Sequence, residues 1–464
     1  MLGHPKKGAG TLADRRAVVM HTAALIANRL HNADRVHNFP AGDCADWMRP
    51  DLIVYARSVE PNHEEAIALK KRTLTSHSDA TAITVLGRDP DAHFGIVNPP
   101  VYRASTILYP TVGALRRHET RGNVQYGRYG TPTNFALEEA ITALEGGYGT
   151  IAVGSGKTAI TATLLALLKA GDHLLLTDSV YGPTRGFADG MLTKFGIEVE
   201  YFDPLIGGGI EARIKPNTKA IFLESPGSWT FEIQDVPAIV EVARRHDIVT
   251  LIDNTWASPL FFKPLALGVD VSIHAATKYI GGHSDLMMGT ITMTEAMDRR
   301  LRPAIWETTT ASSPDDCALA LRGLRTLSVR LERHQQSAIA LAKWLEAQPE
   351  VEEVIHPALP NHPGHALWRR DFKGASGLFG FILKAAPAEA LAAMLDKLSF
   401  FGMGYSWGGY ESLLIPIEPA TLRSAVPWTR PGQAMRIHVG LEDPADLIRD
   451  LEAGFARFRQ AASA

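Results

Sequence analysis

Residues 270–289, DVSIHAATKYIGGHSDLMMG, decide how the chain is read. Residues 271–273 form a short apolar strand. The chain then passes through the small residues Ala275 and Ala276 to Thr277 and Lys278. Gly281, Gly282, His283, Ser284 and Asp285 follow. A lysine delivered from the end of a buried strand among small residues has little room to reach water. Desolvation lowers the pKa of such an amine and makes it a nucleophile toward carbonyls. Most lysines in loops are simply solvated, so the assignment of Lys278 depends on two further stretches.

The first is IVTLIDNTW, residues 248–256, a buried strand ending in the carboxylate of Asp253. A buried carboxylate needs a cation or several donors, and a protonated pyridine nitrogen is such a cation. The second is AVGSGKTAITATLLALLKAGD, residues 152–172, a small-residue turn running into a helix. A helix N-terminus offers free N–H groups to a phosphate. Lysine, strand-end aspartate and phosphate-cradling turn are the three grips that a pyridoxal phosphate (PLP) enzyme needs. Gly-Ser-Gly-Lys-Thr also invites a Walker A reading. That loop requires a glycine five positions before Gly156, where this chain has Ile151. The Walker A pattern therefore fails here, which speaks against a nucleotide hydrolase.

With these residues in place, the chain resembles the cysteine/methionine-metabolism branch of PLP-dependent enzymes. Within that branch it most resembles the bacterial cystathionine β-lyases. The likeness runs from about Val97 to the C-terminus. It is carried by YGRYGTPT (126–133), FLESPGSWTFEIQDVPAI (222–239), LIDNTWASPLFFKPL (251–265), HAATKYIGGHSD (274–285), YSWGGYESL (405–413) and RIHVGLED (436–443). The Trp-Gly-Gly-Tyr-Glu-Ser run and Ala275 favour β-cleavage over γ-cleavage.

The resemblance implies an α/β chain of fold type I. It would have a large, mostly parallel-sheet PLP-binding domain over 135–327 and a smaller C-terminal α/β domain over 328–464. Residues 76–134 would be an arm contacting a neighbouring subunit in a homotetramer, a dimer of dimers. Residues 1–75 do not match and read as an extension, with a possible helix over 17–30. The resemblance implies that Lys278 bonds the cofactor and moves the substrate's Cα proton, and that Asp253 keeps the pyridine nitrogen protonated. Gly156, the Lys157 backbone and Thr277 would hold the phosphate, joined by Tyr126 and Arg128 from the neighbouring subunit. An arginine fork suits phosphate. Tyr181 would stack on the ring and help move protons near the leaving sulfur. Arg436, Ser406 and Trp407 would bind the substrate carboxylate and shape the pocket. Many relatives have Ser where this chain has Ala275, which removes one phosphate contact. His283 reads as a structural residue of the turn.

The implied reaction is β-elimination of L-cystathionine to homocysteine, pyruvate and ammonia, in methionine biosynthesis. Cystathionine γ-lyase, methionine γ-lyase and cystathionine γ-synthase share the chemistry and remain alternatives. A PLP-binding regulator without turnover is an alternative of another class.

Composition is compatible with this. The 464 residues carry 47 Lys and Arg against 50 Asp and Glu, a formal net charge of −3, which gives no footing for nucleic acid. Two cysteines, Cys44 and Cys317, argue against a disulfide framework and for a reducing cytoplasm. The longest apolar run, near 159–168, is far short of the ~20 residues of a membrane span. The histidines lack metal-ligand spacing, so no metal is expected. Strands over 150–153, 173–178, 220–225 and 248–253 alternate with helices over 135–144 and 236–247, a βαβ pattern. In such sheets ligands sit beyond the carboxyl ends of the strands. TAITVLGRD, residues 81–89, is predicted as a strand or turn. In the C-terminal part, 376–384 and 434–441 are predicted as strands of an antiparallel sheet.

Overall fold

A computed structural model of the chain describes residues 77–119 and 124–463. The predicted extension over 1–75, with its helix near 17–30, lies outside the described residues. The first described element is helix α1, Asp79–Val85, which corrects the strand or turn predicted over 81–89. Its run of Thr, Ile, Thr and Val favours a strand by propensity alone. Ser78 overrides that preference: its side chain accepts the Thr81 N–H as an N-cap, Asp79 occupies the first turn, and Ala82 and Ile83 are buried.

The elements that position the site follow in chain order. Helix α2 is Pro132–Glu145, strand β1 Gly149–Val153, helix α3 Gly156–Leu167 and strand β2 His173–Thr177. Helix α4, Gly182–Phe187, precedes β3, Glu198–Phe202, and β4, Thr218–Glu224. Helix α5, Val236–Arg245, leads to β5, Val249–Asp253, β6, Val271–His274, and β7, Gly289–Met293. Helices α6 (Glu295–Thr308), α7 (Pro314–Arg325) and α8 (Leu327–Glu346) come next. The chain closes with β8 (Val351–Ile355), β9 (Leu378–Leu383), β10 (Leu413–Ile417), β11 (Gln433–His438) and helix α9 (Pro444–Ala462).

A seven-stranded sheet runs β1-β7-β6-β5-β4-β2-β3. β3, β2, β4, β5 and β6 pair in parallel, and β7 pairs antiparallel with both β6 and β1. This is the mostly parallel sheet that the sequence predicts. Both faces are covered, so its strands read as apolar runs rather than as alternations. β4 shows how: Ala220 and Phe222 pack into the core with α3, while Ile221 and Leu223 pack into the opposite core with α5. Each fully buried Phe, Leu or Ile contributes about 1.5–3 kcal/mol. The second sheet, β10-β11-β9-β8, is antiparallel throughout and is backed by α8 and α9, as predicted for the C-terminal part. Among the described residues no helix is long and apolar enough to cross a membrane.

Candidate active site

The carboxyl edge of the large sheet gathers the chemistry. β1 ends at the turn into α3, β4 ends at Glu224, β5 at Asp253, and β6 runs through Ala275 to Lys278. The lysine stands four residues beyond the strand, and its backbone N–H is held by the Ala275 carbonyl at 3.0 Å. Its Nζ donates to Ser406 Oγ at 2.8 Å and lies 5.3 Å from the centroid of the Trp407 ring. Burial first, and then the positive charge of Arg436, lower the Lys278 pKa to about 8, with Asp253 opposing. The amine is still mostly protonated at neutral pH, but a much larger share of it is neutral than for an ordinary lysine, the direction the sequence suggested.

Ser406 and Trp407 are brought there by a loop of the C-terminal part. Gly408 has φ of +86°, and a Cβ on it would meet the Lys278 backbone at 3.0 Å. Only glycine tolerates both the left-handed backbone and that approach. His438 fixes the loop from β11: its Nε2 lies 3.1 Å from the Gly408 N–H and 3.1 Å from the Gly409 carbonyl. Arg436, two residues earlier on the same strand, is 6% exposed and donates through Nη2 to the carbonyls of Gly404, Tyr405 and Ser406 at 2.9–3.3 Å. Burial lowers its pKa to about 10, which leaves it charged at neutral pH. The glycine pair was visible in the sequence; its contact with Lys278 and the role of His438 were not.

Asp253 ends β5, the parallel neighbour of the strand that leads to the lysine. Both bonds to it fall on Oδ1: the Thr255 N–H at 2.9 Å and the Thr255 hydroxyl at 2.5 Å. Burial raises its pKa, while Thr255, His274 and Lys278 pull it down. Thr255 Oγ1 also accepts the Ala275 N–H at 2.9 Å, which ties the aspartate to the lysine-bearing strand end. His274 is itself paired with the buried Glu145.

The predicted phosphate turn is tightly built. Ser155 caps α3 by accepting the Thr158 N–H at 3.0 Å. A Cβ on Gly156 would sit 2.6 Å from Ala275 Cβ, and one on Gly289 would sit 2.3 Å from the Ser155 carbonyl oxygen. The turn therefore lies against β6 and β7, with exposed Gly154 and Lys157 on its open side. Thr277 is less available than predicted. Its hydroxyl donates to the Met288 carbonyl at 3.2 Å and accepts the Met288 N–H at 2.9 Å.

Tyr181 stands at the end of β2, 43% exposed, as the N-cap residue of α4. Burial raises its phenol pKa, as do the nearby charges of Asp253 and Glu224, and Arg436 lowers it. Tyr126 and Arg128 are not brought to this cluster within the chain. Arg128 donates to the Trp306 carbonyl at 2.7 Å and to the Tyr129 hydroxyl, and Tyr126 is 45% exposed. His283 Nδ1 lies 2.8 Å from the Gly281 carbonyl, a bond within its own turn. Trp229, another bulky residue of the family-like segments, packs against Ile415, Ile417 and Ala434 of the C-terminal sheet. Among the described residues no group of three or more His, Cys, Asp or Glu is placed to hold a metal ion.

These residues fit PLP. Asp253 keeps Oδ2 for a pyridinium N–H, α3 opens with N–H groups at the turn whose Gly154 and Lys157 are exposed, and Lys278 supplies the amine. The sequence family described as Cys/Met metabolism PLP-dependent enzyme matches residues 80–456. The chain is 46% identical over 387 residues to the cystathionine β-lyase of Salmonella typhimurium, covering 81% of this chain and 98% of that one. It is 45% identical over 387 residues to the cystathionine β-lyase of Escherichia coli, with the same shares covered. Among solved structures, cystathionine γ-synthase from Xanthomonas oryzae pv. oryzae is similar with a TM-score of 0.76 at 32% identity, over 83% of this chain and 99% of that one.

Proposed function

The chain belongs to the Cys/Met-metabolism family of PLP-dependent enzymes, and from that premise we propose that it is a carbon–sulfur lyase cleaving L-cystathionine by β-elimination to homocysteine, pyruvate and ammonia. Its architecture is fold type I. PLP, when bound, supplies an electron sink for charge developing at the substrate Cα. The remaining work falls to side chains of this chain.

The observation that carries the proposal is the shared grip on Ser406. Arg436 holds its carbonyl at 3.3 Å and Lys278 holds its hydroxyl at 2.8 Å. A substrate carboxylate paired with Arg436 therefore brings Cα into the reach of Lys278. Arginine suits that carboxylate because its fork donates two parallel bonds. The lysine, with its pKa near 8, takes the Cα proton. Asp253 would keep the pyridine nitrogen protonated, and Gly156 and Lys157 would hold the phosphate with backbone N–H groups at the start of α3. Tyr181, near Asp253 and Arg436, would flank the ring and help move protons near the leaving sulfur.

Cleavage at Cβ needs one proton abstraction, whereas γ-chemistry needs a second at Cβ. The β-assignment is supported by relatives of that name at 45–46% identity, against 32% for the γ-synthase structure. We also propose a homotetramer in which residues 76–134 reach the neighbouring subunit, with Tyr126 and Arg128 holding the partner's phosphate. Exposed apolar side chains along that arm, among them Phe94, Val97, Leu108 and Val112, support it.

The keto acid formed from L-cystathionine by the purified holoenzyme tests the reading. Pyruvate with homocysteine is expected; 2-oxobutyrate with cysteine would move the enzyme to the γ-lyases. The same preparation should sediment at four chain masses, and a fully active single chain would contradict the shared site.

A further inference from the structure

Glu224 ends β4 where Asp253 ends β5. The two are register partners in adjacent parallel strands, so both side chains leave the sheet at the same edge, side by side. Neighbouring carboxylates held away from water repel one another, and the family reading uses only one of them. Burial and then the Asp253 charge push the Glu224 carboxyl well above its usual range, which lets the pair coexist.

What Glu224 does there is a matter of geometry. Its Oε2 accepts the Tyr181 N–H at 2.7 Å. The Tyr181 carbonyl is used in α4, where it accepts the N–H groups of Thr184 and Arg185 at 2.9 and 3.1 Å. Both backbone groups of Tyr181 are therefore fixed, one by its helix and one by Glu224. Glu224 is fixed in turn by Gln234, which is fully buried. The Glu224 N–H donates to Gln234 Oε1 at 3.2 Å, and Gln234 Nε2 donates to Thr177 Oγ1 at 2.6 Å. A continuous chain of bonds thus runs from the end of β2 through Gln234 and Glu224 to Tyr181. The Tyr181 phenol, meanwhile, lies near enough to Asp253, Glu224 and Arg436 to feel their charges.

We propose that Glu224 is a positioning residue: by holding the Tyr181 backbone N–H, it fixes the Tyr181 ring over the Asp253 end of β5. The proposal rests on the reading that this edge holds PLP. It gives a role to a second acid that the proposed reaction leaves idle, and it makes the acceptor oxygen, rather than the charge, the feature that matters.

The test uses the full-length apoprotein titrated with PLP, followed by the visible circular dichroism of the bound cofactor and the melting temperature of the apoprotein. Glu224→Gln keeps an acceptor for the N–H and should bind PLP within about threefold of wild type. Glu224→Ala removes the acceptor, and Glu224→Asp withdraws it by one methylene. Both should weaken PLP binding about tenfold, the worth of one hydrogen bond, and reduce the dichroic band per bound cofactor. If Glu224→Ala does not fold, Glu224→Asp decides. Wild-type affinity and an undiminished band in the acceptor-deficient variant would overturn the proposal. So would a Gln variant as defective as Ala, because charge or proton and not the acceptor would then matter. A lowered melting temperature with an unchanged band per bound cofactor would reduce Glu224 to a packing role and also overturn it. Wild-type protein that binds no PLP at all would instead refute the reading of the preceding section.

Discussion

Two aspartates stand at the carboxyl edge of the same sheet, Asp178 just past β2 and Asp253 at the end of β5, and they are treated in opposite ways. Asp178 is 1% exposed and saturated. It accepts the N–H groups of Ser424, Ala425 and Val426, the Ser424 hydroxyl, and Arg185 Nη2 at 2.7 Å. Burial pushes its pKa up, but the bonds from Val426, Ser424, Arg185 and Ala425 outweigh that and hold it below the usual carboxylate range. Asp253 receives bonds on one oxygen only, and burial wins, so its pKa rises. A fully bonded carboxylate clamps a loop of the C-terminal part onto the large sheet. A half-bonded one is held ready for a ligand that completes its bonding. Buried carboxylates with open valence mark function, and closed ones mark structure.

The contrast can be broken most forcefully at Asp178. Asp178→Ala leaves Arg185 buried without its partner and several N–H groups without acceptors. Urea unfolding should show a loss of about 3–5 kcal/mol, with catalysis by the folded fraction largely kept. An unchanged midpoint would end the distinction. Asp253→Asn should do the reverse. Its kcat should fall about 10²–10³-fold, because the charge opposite the pyridine nitrogen is gone. The apoprotein should unfold at an equal or higher urea concentration, since a poorly compensated buried charge has been removed. A destabilised Asp253→Asn apoprotein would make both residues structural.

A smaller effect sharpens the account around Lys278. Its pKa is lowered to about 8, so the fraction of neutral amine rises as pH passes through that value. The rate at which apoprotein takes up PLP should climb with the same midpoint. Because the positive charge of Arg436 contributes to the lowering, Arg436→Met should move the midpoint upward. A midpoint near the ordinary lysine value in the wild-type protein would contradict the burial of the amine.

Much of this edge was legible in the sequence because residue type and position coincide there. Lys278 and Asp253 follow apolar strands, and Gly156 opens a helix, so strand-end geometry alone places them together. Other features depend on sheet order. Glu224 reads as an ordinary strand-end acid until β4 and β5 are neighbours in register. The reversed strand β7 places Gly289 against Ser155, which no local pattern announces. Gly408 is visible as half of a glycine pair, but its approach to Lys278 joins positions 130 residues apart. α1 was misread because its β-branched residues outweigh, in propensity, a cap whose effect depends on burying Ala82 and Ile83. The commitment of Thr277 to Met288 could likewise be seen only once β7 was placed.

The most direct measurement is borohydride reduction of the PLP-loaded protein followed by peptide mapping. The account predicts a single pyridoxyl group, on Lys278, and none when Lys278→Ala is treated alike. A pyridoxyl group on another lysine, or on Lys157 beside the phosphate turn, would contradict the assignment of the site.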